Sequence, residues 1–248
     1  MIKNTSHNDY AMEATMCLEW SDIMLKDEDI RYIEKALPFW SKLDKSDKKF
    51  LLNHIFPVEY EKGRPIHSGS MDCIGVLLIR KGDIRVYMLS DEGKEVTLYR
   101  LSDGDICILS ASCILDNITF DVYIDAESAC DLLVIESKYY QQLCNKNIYA
   151  ENYSQRLVID RFSDVMWAME QILFMSFDKR LAIFLSDEAA RTGSDVIELT
   201  HEQIAKYVGS AREVVSRMLK YFQGEGIVEL SRGGVKIADK KKLKALIM

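Results

Sequence analysis

The chain lacks a long apolar run, a basic excess and, over much of its length, the residues that interrupt helices. Its longest charge-free apolar stretch, Ile106 to Leu115, is ten residues and includes two Ser and two Cys. A bilayer span needs roughly twenty apolar residues, so no membrane partner is expected. The N-terminus, MIKNTSHNDYAMEATM, has no basic-then-apolar leader pattern, which places the chain in the cytoplasm and its six cysteines in the reduced state. No proline follows Ser137, and no glycine falls between Ser137 and Gly193, a stretch suited to long helices. The net charge of −7 gives no general affinity for nucleic acid.

What is present is ordinary globular composition. With 248 residues, 48% hydrophobic and 29% charged, the chain can bury a core in one or two domains, and disorder, collagen-like repeats and coiled-coil rods are excluded. The charge is unevenly placed. From Thr200 to the end there are ten Lys/Arg against five Asp/Glu, a net of +5, so the remainder carries −12. A basic terminal segment on an acidic body suggests two modules.

Residues 1–30 are polar and acidic, and 26–55 read as short helices, with Ile30, Ile33, Leu37, Leu43, Phe50 and Leu51 at helical spacings. From Val58 to Ile135 short runs rich in Val, Ile, Tyr and Leu alternate with Gly and Asp turns, among them Lys81-Gly82-Asp83 and Asp103-Gly104-Asp105. The segments Ile84–Met88 and Val96–Leu101 around the DEGK turn read as a hairpin, and the set as a small antiparallel barrel or jelly roll. Within 151–175, Val158, Phe162, Val165, Met169 and Ile172 recur at spacings of 4, 3, 4 and 3, close to the seam of a dimerisation helix. The alternative is a helix lying on its own barrel. A further helix is expected from Ser176 to a Gly193 stop.

Thr200-His201-Glu202-Gln203 is a capping box opening a short helix that Gly209 ends. From Ala211 to Gln223, Val215, Met218, Leu219 and Phe222 share one helix face, while Arg212, Glu213, Ser216, Arg217 and Lys220 share the other. Helix, Gly turn and amphipathic helix make a helix-turn-helix, whose second helix enters the major groove of DNA. Ile227–Leu230, Ser231-Arg232-Gly233-Gly234 and Val235–Ile237 follow as a hairpin with a basic tip, a wing over phosphates.

At these residues the chain resembles the CRP/FNR family of bacterial transcription regulators. The resemblance covers about residues 50–245 and is strongest over Leu199–Phe222; Gly63, Ile66 and Gly69, the run Ile79–Tyr87, Glu92–Val96 and Leu101–Asp105 support it. It implies an α+β chain made of an N-terminal extension (1–30), a double-stranded β-helix sensor domain like those that bind cyclic nucleotides (31–150), a dimerisation helix (151–175) and a C-terminal winged helix (176–248). It also implies a homodimer on an inverted-repeat promoter site, with RNA polymerase and a small-molecule effector as further partners. The family's base-reading positions fall on Arg212, Glu213, Ser216 and Arg217. Arg can fork onto guanine O6 and N7, and Glu can accept from cytosine N4. Glu213, Ser216 and Arg217 look like the set that implies a TTGAT-like half-site, Arg212 like the one that implies TGTGA. Phosphate contacts are expected from Thr200, Ser210, Lys220, Arg232 and Lys236. Ala211 stands where the family has Ser or Thr, so the cap of that helix is expected from Ser210.

The sensor departs from the cyclic-nucleotide pattern. The turn at Asp103-Gly104-Asp105 is followed by Ile106–Cys113 with no Gly-Glu pair, and the phosphate-neutralising Arg-Ser positions fall on or near Phe120 and Asp121. A phenyl ring cannot pair a phosphate and a carboxylate repels it, so cyclic AMP is not the expected effector. Cys107, Ser110, Cys113, Phe120 and Asp121 are the candidate effector pocket. Only Cys17 precedes Cys73, so an N-terminal iron–sulfur motif is missing. Cys107 and Cys113 are read as small buried hydrophobes, with a thiol switch or metal thiolate as the alternative; His67 and His54 are read as structural, with haem ligation as the alternative. A barrel oxygenase needs two His and a carboxylate, and 58–135 holds one His, so the chain is not expected to be an enzyme.

Overall fold

The computed structural model describes residues 25–69, 74–110 and 121–248. Three acidic residues open α1 (Asp27–Ala36), where they favour the helix N-terminus, and an Asp44 side chain accepting from Asp47 N caps α2 (Lys45–Leu52). Eight strands follow: β1 (Ile55–Tyr60), β2 (Pro65–Ser68), β3 (Val76–Lys81), β4 (Ile84–Leu89), β5 (Glu95–Leu101), β6 (Ile106–Cys107), β7 (Tyr123–Ala126) and β8 (Cys130–Ile135). They form two antiparallel four-stranded sheets, ordered β1-β8-β3-β6 and β2-β7-β4-β5. The β4–β5 hairpin pairs Ile84 with Leu101 and Leu89 with Glu95 around the DEGK turn. At the β3–β4 turn Gly82 sits at φ +102°, and a Cβ there would lie 2.6 Å from Ala129 O, so only glycine fits.

The central strand β3 is buried along Val76–Ile79, with alternate residues in two cores. Leu77 and Ile79 face the interior between the sheets with Val86, Ile124, Leu132 and Val134. Val76 and Leu78 face α1 and α2 with Ile33, Leu37, Leu51 and Tyr140. Period-2 alternation with both faces covered is what a sandwiched strand requires.

The stretch without Gly or Pro forms α3 (Ser137–Lys146), α4 (Ile148–Phe174) and α5 (Phe177–Thr192). Asn147 caps α4 through Tyr149 N and Ala150 N, and Gly193, at φ +64°, closes α5. The C-terminal unit continues with β9 (Val196–Ile197), α6 (His201–Val208), α7 (Arg212–Gly224), β10 (Val228–Ser231), β11 (Gly234–Ile237) and α8 (Lys240–Ile247). Its core joins Leu181 and Leu185 of α5, Ile204 of α6, Val215, Leu219 and Phe222 of α7 and Val235 of β11. No periodicity or motif marks Lys240–Ile247 as a helix; Asp239 caps it through Lys241 N and Lys242 N, and Leu243 locks it to the core.

Along α4 the five seam residues separate. Val158 packs on the α1–α2 core and Val165 on the inter-sheet core, so these two serve their own sensor rather than a free face. Phe162, Met169 and Ile172 are exposed. The exposed apolar row is Ile159, Phe162, Met166, Met169 and Leu173, with Phe162 and Leu173 each 64% exposed. Its spacings of 3, 4, 3 and 4 fit a coiled-coil seam, one residue out of register with the expected set at three of five positions.

Candidate nucleic-acid interface and sensor pocket

The capping box on α6 forms as the sequence predicts: Thr200 Oγ1 accepts from Gln203 N at 3.2 Å, while Thr200 N donates to Gln203 Oε1 at 2.8 Å. Gly209 then takes the left-handed conformation (φ +61°) and turns the chain into α7. Burying Val215, Leu219 and Phe222 fully stabilises the α7 packing by roughly 1.5–3 kcal/mol per side chain. It leaves Arg212, Glu213, Arg217 and Lys220 on the exposed face and Ser216 half-buried at its edge. The wing pairs Val228 with Ile237 and Ser231 with Gly234, with Arg232 exposed at its tip. Lys236 is exposed and bonded to Glu229 at 2.9 Å. Thr200 is exposed, but its hydroxyl is engaged by Gln203 at 3.0 Å. The expected cap from Ser210 does not form. Ala211 occupies the N-cap position and, among the described residues, no side chain caps α7, which leaves the first α7 amides available to an anion such as a phosphate.

Two features of this face lay beyond sequence reasoning. His201 Nδ1 lies 2.8 Å from Ser216 Oγ, joining the first turn of α6 to the polar edge of α7. The C-terminal unit also docks on the β4–β5 hairpin of its own sensor. Lys206 donates to Glu95 at 2.7 Å and Thr97 to Lys206 O at 3.2 Å, and a Cβ on Gly209 would lie 3.6 Å from Val96. Deeper in, Arg100 bonds Glu127 at 2.5 Å and Glu188 at 2.6 Å, Arg191 bonds Glu188 at 2.7 Å, and Tyr207 donates to Glu127. The Arg100 guanidinium sits 4.7 Å from the Tyr207 ring, which stacks on Phe184 at 5.1 Å. Burial would raise the Glu188 carboxyl, but hydrogen bonds and charge from Arg191 and Arg100 outweigh it and hold it below the usual range. Ser210 and Arg212 share a cleft with Gly93, Lys94 and Glu95, so the sensor hairpin borders the start of α7.

In the sensor, Cys107 is fully buried and burial pushes its thiol up. Ser110 is buried, its hydroxyl 2.6 Å from Gly75 O, and Asp121 is exposed. Cys113 and Phe120 lie outside the described residues. His67 is buried, and His54 stacks on Tyr139 with centroids 3.4 Å apart. Among the described residues no cluster of three His, Cys, Asp or Glu is placed to hold a metal. Arg161, which the sequence pattern did not single out, reaches from α4 to within 5.1 Å of the Tyr99 ring and pairs with Asp164 at 2.7 Å. Among the described residues its buried Nε–H has no hydrogen-bond partner.

Comparison with known proteins bears on both units. Family profiles match residues 57–147 as a cyclic nucleotide-binding domain and 179–246 as a Crp-like helix-turn-helix domain. A crystal structure assigned to a CRP/FNR-family regulator of Eubacterium rectale is 47% identical, covers 86% of this chain and 99% of that one, and superposes with a TM-score of 0.84. The chain belongs to the CRP/FNR family of transcriptional regulators. The cAMP-activated global regulator CRP of Pasteurella multocida is 27% identical over 73% of this chain and 88% of its own length. The c-di-GMP-responsive regulator CLP of Xanthomonas campestris, 18% identical over 79% of this chain and 100% of that one, shares the fold at a TM-score of 0.66. As a CRP/FNR regulator the chain is a DNA-binding protein whose sheet-built sensor, long helix and helix-turn-helix match the family architecture, and none of its described helices is long and apolar enough to cross a membrane.

Proposed function

We propose that this CRP/FNR regulator binds an inverted-repeat duplex as a homodimer, in response to an effector other than cyclic AMP. The observation that carries the DNA half is the exposed stripe Arg212, Glu213, Arg217 and Lys220, with Ser216 at its edge, on a helix whose opposite face is locked into the core beside a basic wing. In this reading Arg212, Glu213, Ser216 and Arg217 read base edges in the major groove, and Thr200, Ser210, Lys220, Arg232 and Lys236 hold phosphates. The uncapped α7 N-terminus adds amides for a phosphate. Dimerisation proceeds through the exposed α4 row Ile159, Phe162, Met166, Met169 and Leu173, which sets the two α7 helices against half-sites about 34 Å apart. Domain roles follow the sequence division: 31–150 senses, 151–175 pairs, 176–248 binds DNA.

Against cyclic AMP stands the chemistry around 120–121. Asp121 presents an exposed carboxylate where a phosphate would need a cation, and titration calorimetry with cyclic AMP is expected to show no micromolar binding. The deciding experiment for the DNA reading is Arg217→Ala. Footprinting on a selected duplex should lose sequence-specific protection while sedimentation still shows a dimer; unchanged protection would refute the assignment.

A further inference from the structure

His201 and Ser216 lie fifteen residues apart in sequence and 2.8 Å apart in space, Nδ1 to Oγ, on the face that carries Arg212, Arg217 and Lys220. Each partner can donate or accept. A neutral imidazole has one N–H and one bare nitrogen; a serine hydroxyl has one proton and two lone pairs. The direction of this one bond therefore decides what Ser216 shows to DNA. Burial, then the charges of Arg212 and Lys220, lower the His201 pKa, so the ring is neutral near pH 7. Of the two neutral tautomers, the one protonated on Nδ1 would leave a bare lone pair on a surface that meets phosphates. The one protonated on Nε2 turns a donor toward them and accepts a hydrogen bond from the serine hydroxyl at Nδ1.

We propose that His201 is a specificity-determining residue that acts through Ser216: by accepting the hydroxyl's hydrogen bond at Nδ1 it leaves Ser216 Oγ an acceptor, so that this position reads an exocyclic amino group, adenine N6 or cytosine N4, and not a keto oxygen. No atom is transferred; the device is a fixed hydrogen-bond polarity, and it rests on the reading of Ser216 as a base-contacting residue. Serine alone is indifferent, able to serve a donor or an acceptor edge. The histidine removes that indifference, and Gln203 in the same turn is unavailable for the task because it is held in the capping box.

The test is selection by the full chain from duplexes randomised over two helical turns, run in parallel for the wild type and variants. Ser216→Ala should flatten the preference at one base pair of each half-site, where the wild type selects an amino-bearing base in the contacted strand. His201→Ala should weaken that same preference roughly tenfold and leave the other positions unchanged. His201→Lys, a donor only, should reverse it toward a keto base, and His201→Asn, whose amide oxygen can accept, should restore it. Nitrogen-15 spectra of the imidazole in the DNA-free protein should show the Nε2–H tautomer, with an Nδ1 shift that moves in Ser216→Ala. The proposal is overturned by an Nδ1–H tautomer, by a keto preference at the Ser216 position, or by a His201→Ala variant that loses affinity equally for all sequences, the mark of a phosphate contact. A Ser216→Ala variant whose motif is unchanged at every position refutes the base-reading assignment beneath it instead.

Discussion

Arg100 is the residue on which the docking of the two units turns, and Arg100→Met isolates its charge while keeping its aliphatic stem. The guanidinium is 18% exposed and lies between Glu127 and Glu188, whose side chains are 11% and 5% exposed. Removing one partner of a buried ion pair costs roughly 3–5 kcal/mol because the other charge stays desolvated. Here each carboxylate keeps a second donor, Arg191 for Glu188 and Tyr207 for Glu127, which puts the expected cost at the lower end, about 3 kcal/mol. With a urea m value near 3 kcal/mol/M, that moves the unfolding midpoint down by about 1 M. In the wild type, fluorescence from Trp20, Trp40 and Trp167, all of which precede the C-terminal unit, and far-UV circular dichroism should report one coincident transition, since the docked units support each other. In Arg100→Met the C-terminal unit, which contributes helices to the dichroism but no tryptophan, should unfold first, so the two probes should separate. Glu188→Gln in the same background should recover part of the loss, a coupling of about 1–3 kcal/mol in the double-mutant cycle. A midpoint shift below about 0.3 M with coincident probes would show that the network contributes nothing to docking.

Three further outcomes follow from the same structure. Phe162→Glu, on the exposed row of α4, should leave the thermal midpoint nearly unchanged and make the protein monomeric in sedimentation velocity if the proposed dimer forms there; a dimeric Phe162→Glu protein would place the interface elsewhere. Glu95 and Glu188 are each desolvated yet held below the usual carboxylate range by Lys206 and Arg85, and by Arg191 and Arg100. Their folded values lie under the unfolded one of about 4.3, so the stability they add is complete above about pH 4.5 and is lost as pH falls through the folded values. Urea midpoints should be flat from neutral pH to about 5 and then decline, and a flat profile to pH 3 would contradict the assignment. Burial raises the thiols of Cys107, Cys130 and Cys144, so mass-mapped alkylation of the native protein at neutral pH should leave Cys107 unmodified; rapid labelling there would revive a thiol-switch role.

The legible parts of this protein are those set by local chemistry. The capping box at Thr200, the Gly209 turn, the two-faced helix from Arg212 and the DEGK hairpin each depend on residues within a few positions of one another, and each forms where the sequence places it. The division of charge, +5 from Thr200 on and −12 before it, likewise follows from the chain alone. The face of α4 does not. Both Val158-Phe162-Val165-Met169-Ile172 and Ile159-Phe162-Met166-Met169-Leu173 satisfy the spacing of a seam, because that helix is apolar on nearly every side. Only the packing of Leu157, Val158 and Val165 against the sensor decides which row is left outward. Pairings between distant residues were equally invisible: Arg100 with Glu188, Lys206 with Glu95 and His201 with Ser216 join side chains that no periodicity relates. The sequence by itself determined the β4–β5 hairpin, the helix-turn-helix, the wing and the chemistry of the polar face of α7. The tertiary structure decided which surfaces stay free, which charges are desolvated together, and that a histidine and a serine meet, since each of these depends on which elements fold back onto which.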